Sequence, residues 1–210
     1  MESYTGDVTP GGPPQVRDLG CLTLTKVAVD PQMSNNAYLL RCQQTGDQVL
    51  VDAADDAGTL LDLVGDGGLV SVVTTHQHWD HHRALAEVVE RTGAQVLVGE
   101  PDADAVTEQT GVPVDVRLEH GDRVAIGSCE LEVIAIAGHT PGSVALLHRA
   151  PGGVGAAFGD AAPFAQLIND VEEKVFATLP DETHFYPGHG GDGVLGDQRP
   201  PLAEWRERGW

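Results

Sequence analysis

Residues 74–81 read Thr74-Thr75-His76-Gln77-His78-Trp79-Asp80-His81, directly after the apolar run 69–73. Three imidazoles and a carboxylate this close together suit borderline divalent ions, zinc above all and iron less selectively. His76 and His78 stand two apart, so extended backbone at a strand end sends both side chains to one side. Asp80 and His81 are adjacent and point elsewhere unless the chain turns. That spacing suggests two ligand sets for two neighbouring ions. The plain alternative is a solvated histidine cluster, with Asp80 as the N-cap of the helix that follows.

The same grammar recurs downstream: an apolar strand, then a glycine-rich turn carrying one metal-competent side chain. Residues 131–137 run into Gly138-His139-Thr140-Pro141-Gly142-Ser143, residues 154–158 into Gly159-Asp160, and residues 184–186 into Pro187-Gly188-His189-Gly190. Glycine lets backbone approach an ion closely, and strand ends hold donors on rigid elements. Taken in order, HxHxDH, GHTPGS, GD and PGHG resemble the metallo-β-lactamase superfamily. The nearest likeness is its glyoxalase II-like (hydroxyacylglutathione hydrolase-like) branch, for which GHTPGS is especially characteristic.

The resemblance covers residues 22–190. It implies an α/β fold, a four-layer αββα sandwich with the site at one edge of the two sheets. It also implies that His76, His78 and His139 hold one divalent ion, that Asp80, His81 and His189 hold a second, and that Asp160 bridges them. Zn2+ is the expected metal, with iron as the alternative. A hydroxide shared by the ions would be the nucleophile, because coordination lowers the pKa of bound water and polarises the attacked carbonyl. Asp80 would orient that hydroxide and could receive its proton.

Strands must end at each motif to position these groups. Alternation and turn residues predict strands over 22–29, 36–41 and 48–53, the last two joined by the hairpin-like Gln44-Thr45-Gly46-Asp47. Asp52 closes the third strand, either as a turn residue or as outer support for a metal-bound histidine. A short helix over 59–64 and a buried strand over 69–74 follow. After His81 comes a helix with Leu85, Val88 and Val89 at helical spacing and Gly93 as its stop. Beyond it the sequence predicts a strand over 95–99, a helix over 102–110, and strands over 114–118, 123–126, 130–137, 143–148 and 154–158. An alanine-rich helix over 161–178, a strand over 182–186 and a terminal helix over 200–208 complete the series. Strands and helices interleave, which packs naturally as two sheets covered by helices. Residues 1–20 read as a flexible N-terminal arm and 21–210 as a single domain.

The remaining histidines have ordinary readings. His120 and His148 are expected to face solvent or to be satisfied in the core, and His82 to point outward. His184 shares a strand face with Tyr186. Trp79, at the mouth of the site, is a pocket wall or simple packing.

Composition narrows the function. The formal charge of −20, from 32 acidic and 12 basic residues, repels nucleic acid and anionic membrane, and a nuclease role conflicts with it. No apolar run approaches a membrane span, and the N-terminus lacks the basic start and apolar stretch of a signal peptide. Cys21, Cys42 and Cys129 are odd in number and widely spaced, forming neither a disulfide framework nor a CxxC zinc site. They are expected to be small buried apolar residues in a reducing, cytoplasmic setting.

Two departures from the branch bear on the substrate. Few residues follow His189, which leaves out the helical domain that holds glutathione in full-length relatives, and the stretch from Asp160 to His189 is short. Glutathione esters are therefore in doubt, and the site is either more open or completed by the second subunit of a homodimer. A basic complement that is nearly all Arg fits a GC-rich genome, where a mycothiol or related thioester is a candidate. The leading reading is a dinuclear zinc hydrolase of a small-molecule thioester. The alternatives are a persulfide dioxygenase, with one Fe(II) on His76, His139 and Asp160, and a lactone or β-lactam hydrolase. A non-catalytic binding protein is the weakest reading.

Overall fold

The first sheet of the protein is laid down almost in sequence order. It comprises β1 (Gln15–Asp18), β2 (Leu22–Ala28), β3 (Asn36–Cys42), β4 (Gln48–Val51), β5 (Ser71–Thr74), β6 (Gln95–Gly99) and β7 (Val116–Leu118), each beside the next. The first four run antiparallel through short turns. From β4 to β7 the pairing is parallel, and parallel neighbours need a crossover. Helices α1 (Ala57–Val64), α2 (Leu85–Thr92) and α3 (Ala103–Thr110) supply the three crossovers.

The second sheet is formed by β8 (Arg123–Ile126), β9 (Cys129–Ala135), β10 (Val144–Ala150), β11 (Gly153–Phe158), β12 (His184–Pro187) and β13 (Gly193–Val194), also in sequence order. Its one parallel pair, β11 with β12, is bridged by α4 (Phe164–Val171) and a π-helical turn over Glu172–Phe176. Two short helices, α5 (Leu195–Gln198) and α6 (Leu202–Arg208), close the chain. This computed structural model describes residues 4–150, 153–158 and 164–208.

Three apolar cores separate four layers. One lies between α1–α3 and the outer face of the first sheet, with Leu50, Leu60, Val72, Leu85 and Val96 fully buried. A second lies between the sheets, where Leu22, Val49 and Val73 meet Ile126, Leu131 and Val133. In the third, Ile134, Ile136, Ala145 and Leu147 pack under the C-terminal helices through Val175, Phe176 and Leu195. The layering is the αββα sandwich, with alternate strand residues serving opposite cores.

Two details differ from the sequence expectations. The N-terminal stretch is tied down: β1 adds an edge strand to the first sheet, and Tyr4 donates a hydrogen bond to Asp192. Lys26 explains this. Its ammonium is fully buried and needs three acceptors, which are the Gly6 carbonyl (2.8 Å), the Gly190 carbonyl (3.0 Å) and Asp192 Oδ1 (2.7 Å).

The cysteines also differ. Cys21 is exposed and forms a disulfide with Cys129, linking the start of β2 to the start of β9, with Cα atoms 6.3 Å apart. Cys42 Sγ lies 3.8 Å from Cys129 Sγ. Hydrogen bonding from Ser128, then Thr45, lowers the Cys42 thiol to about 6. Spacing along the chain gave no sign of this convergence, because the packing of one sheet on the other creates it. Of the helix expected over 161–178, positions 161–163 lie outside the described residues, and the remainder is α4 with its π turn.

Candidate metal centre

β5 is fully buried and ends at Thr74, after which the chain bends through His76 and Gln77 and is extended again at His78. The chain then tightens into one 3-10 turn over Trp79–His81. That turn groups Asp80 and His81 with His189 while the His81 ring stays packed against His76, centroids 4.1 Å apart, so the short motif serves two adjacent places. The loop between β9 and β10 delivers His139, and the loop after β12 delivers His189.

Two clusters result. Ligand atoms of His76, His78 and His139 lie within 4.8 Å of one another, as do those of Asp80, His81 and His189. In the first, His139 Nε2 is 2.9 Å from His78 Nδ1 and 3.0 Å from His76 Nε2. In the second, His81 Nε2 and His189 Nε2 are 3.1 Å apart, and Asp80 Oδ2 is 3.4 and 3.3 Å from them. Asp160 lies outside the described residues.

These contacts fit cations better than hydrogen bonds. A neutral imidazole nitrogen carries either one proton or one lone pair, so His139 Nε2 cannot satisfy both of its nitrogen neighbours. Donors 2.0–2.1 Å from a tetrahedral ion stand roughly 3.3 Å from one another, and the second cluster's separations bracket that value. The nitrogen and oxygen donor set suits a divalent ion.

The outer atoms of the rings point the same way. His81 Nδ1 donates to Asp52 Oδ2 (2.8 Å) and His189 Nδ1 to the Met33 carbonyl (3.0 Å). His76 Nδ1 lies 3.0 Å from Thr75 Oγ1, whose own proton goes to Asp52 Oδ2. With protons fixed on Nδ1 of these three rings, their Nε2 lone pairs face the site. Asp52 is the outer support that was one of its two sequence readings. It takes a left-handed backbone (φ 60°) as β4 ends and also accepts from the Thr75 N–H.

Two residues escaped the sequence reading. Asn35, fully buried, donates through Nδ2 to Asp80 Oδ2 (2.9 Å) and the Asp80 carbonyl (3.1 Å). Asp102, also fully buried, accepts from the Gln77 N–H (2.9 Å), the Gly142 N–H (2.8 Å) and the Thr140 hydroxyl. It thereby ties the loop of His76 and His78 to the loop of His139. Gly142 must be glycine here, since a Cβ would come 2.5 Å from the Asp102 nitrogen. An aspartate after Pro101 looks like a helix start, and nothing local marked its reach across the sandwich.

Electrostatics keep the donors in binding form. Burial, then the neighbouring His81, His78 and His139, pull the His76 pKa far below its ordinary range, so the ring is neutral. Burial alone would raise Asp80, but the Asn35 hydrogen bond and the adjacent His81 outweigh it and hold the carboxylate ionised.

The other histidines stay outside both clusters. His82 is buried rather than outward, donating from Nε2 to the Gln77 carbonyl (3.1 Å). His148 donates to the Leu19 carbonyl (3.1 Å) inside the core, and His120 is exposed. Trp79 is 56% exposed, with the Arg83 guanidinium 4.0 Å over its ring.

A sequence model described as the Metallo-beta-lactamase superfamily matches residues 30–195. The chain belongs to the metallo-β-lactamase superfamily. Within it, the chain falls in the glyoxalase II-like branch of metallo-hydrolases. It is 34% identical over 192 residues to the hydroxyacylglutathione hydrolase of Fuscovulum blasticum, covering 87% of this chain and 72% of that one. Among solved structures, ETHE1 from Myxococcus xanthus is similar at 27% identity and a TM-score of 0.72, over 86% of this chain and 84% of that one. TTHA1623, solved in a di-iron-bound form, is similar at 28% identity and a TM-score of 0.64, over 83% and 96%. Among the described residues, no helix is long and apolar enough to cross a membrane.

Proposed function

We propose that the chain is a dinuclear metal hydrolase that cleaves a small-molecule thioester, with Zn2+ as its working metal. The observation that carries this reading is the second cluster, where Asp52 and the Met33 carbonyl hold the outer nitrogens of His81 and His189 and Asn35 holds Asp80 through Oδ2. His76, His78 and His139 would hold one ion, Asp80, His81 and His189 the other, and Asp160 would bridge. Ions held there would supply an activated water and polarise the scissile carbonyl.

The chain's own residues do the rest. Asp52 fixes the tautomer of His81 directly and that of His76 through Thr75. Asn35 holds Asp80 Oδ2, and the ionised Asp80 orients the attacking water as a proton acceptor. The thioester suits this apparatus because its carbonyl is electrophilic and its thiolate leaves readily. The name of the Fuscovulum blasticum relative supports thioester cleavage, and esters of mycothiol are candidates beside those of glutathione.

A second reading is a mononuclear iron persulfide dioxygenase using His76, His139 and Asp160. Similarity to ETHE1 favours it, and the di-iron form of TTHA1623 makes iron a candidate metal in either case. It would leave Asp80, His81, His189 and their outer partners without a task. One assay separates the two. Metal-loaded protein is offered S-lactoyl and S-acetyl esters of glutathione and mycothiol, and persulfides under oxygen. Thiol release that is lost on chelation and restored by zinc is expected. Oxygen uptake without thiol release would overturn the hydrolase reading.

A further inference from the structure

Beside the first cluster, a cavity of about 280 Å³ opens between the second sheet and the helices that cover it. His139 forms part of its wall. Most of the remaining wall is apolar, with Leu167 and Val171 from α4, Phe176 from the π turn, Phe185 from β12 and Trp205 from α6. Voids in protein interiors are costly and usually small. An apolar cavity sharing a wall with a metal-competent side chain is the usual form of a binding site, with apolar walls for affinity and a polar group at one end for orientation.

We infer that this cavity takes the acyl chain of the substrate, so that the enzyme acts on thioesters of apolar acyl groups longer than acetyl. The inference rests on the hydrolase reading above and adds the substrate class. A thioester has two halves. The low-molecular-weight thiols that carry acyl groups are polar and ionised, and burying their charges against phenylalanine and leucine would cost far more than it returns. The apolar half is the acyl chain. With its carbonyl at the His139 side, that chain extends under α4, while the thiol half remains on the open side, where His78 and Trp79 are exposed. Hydrolysis adds water across the C–S bond, giving the carboxylate and the free thiol. No further reactant is needed.

The test is a chain-length series of S-acyl esters of one thiol, from acetyl through butyryl and hexanoyl to octanoyl, with D-lactoyl beside them, assayed on the metal-loaded protein. Full burial is worth up to about fourfold in kcat/KM per methylene, and the rise should stop once the cavity is filled. Val171→Trp and, separately, Leu167→Phe occupy the cavity. Each should bring the hexanoyl-to-acetyl ratio of kcat/KM towards one, with metal content and the circular dichroism spectrum checking that the variant is folded. If a variant does not fold, the wild-type series still decides. Hydrolysis of acetyl and D-lactoyl esters with no rise along the series overturns the acyl cavity and leaves the hydrolase reading standing. Failure to hydrolyse any ester overturns the hydrolase reading itself, and the inference with it.

Discussion

The two ligand clusters are held in different ways. In the cluster of Asp80, His81 and His189, each donor side chain is gripped directly, by Asn35, Asp52 and the Met33 carbonyl. In the cluster of His76, His78 and His139, His76 is held at Nδ1 by Thr75, Asp102 ties the loops that carry the rings together through the Gln77 and Gly142 N–H groups and the Thr140 hydroxyl, and His78 is exposed. A ring with its outer nitrogen bonded has one orientation, whereas an exposed ring such as that of His78 keeps some rotamer freedom. The difference implies that the second position is preorganised before a metal arrives and that the first gains more of its order from the ion. Asp52 touches both, reaching His81 directly and His76 through Thr75.

The largest effect should come from removing a donor. His81→Ala is expected to lower kcat/KM by more than about 100-fold, exceeding the 10–100-fold typical of losing an outer partner. Chain-length substrates or thioesters of any thiol serve for the assay. His76→Ala should cost as much. If only one of the two matters, a single ion performs the reaction.

Next comes the outer support. Asp52→Asn should weaken metal binding at both positions by roughly 10–100-fold, because one carboxylate oxygen accepts from the Thr75 N–H and the other from the Thr75 hydroxyl and His81, whereas an amide has a single acceptor oxygen. Asp102→Asn should weaken the first position alone. Titration with a chromophoric zinc chelator resolves the two affinities, and equal losses at both positions in Asp102→Asn would contradict the comparison.

A smaller effect concerns the stability of the metal-free protein against pH. Burial, first among the causes, holds His76 and His82 below their ordinary 6.5. Above that value both folded and unfolded chains carry neutral rings. Below it the unfolded chain takes up protons that the folded one refuses, so stability falls as pH falls. Asp80, lowered from 3.8, adds stability present above that value and lost beneath it. Thermal melts of chelated protein should therefore show Tm dropping from pH 7.5 to 5, and an unchanged Tm would contradict the buried neutral imidazoles. The smallest expected effect is that of Trp79→Ala, which loses the Arg83 contact at a cost of about 0.5–1 kcal/mol and leaves metal content unchanged by mass spectrometry.

Much of this was legible because the chemistry is concentrated. Three histidines and an aspartate after a buried strand, and glycine-rich turns at two later strand ends, pointed to the side chains that the fold brings together. The β-runs and crossover helices followed from periodicity and turn residues. What escaped depends on contacts across the sandwich. Asn35 and Asp102 resemble a turn residue and a helix start, and only the approach of Asp80 and of the His139 loop gives them their tasks. The Cys21–Cys129 link and the acceptors of Lys26 likewise join segments far apart in sequence, and no local pattern encodes such distances.

The most direct test of the dinuclear account is metal content per chain, measured by plasma mass spectrometry. The protein would be grown with both zinc and iron and purified without added metal or chelator. The account predicts two zinc ions per wild-type chain and one in His189→Ala. A wild-type chain carrying a single iron, unchanged by His189→Ala, would contradict it.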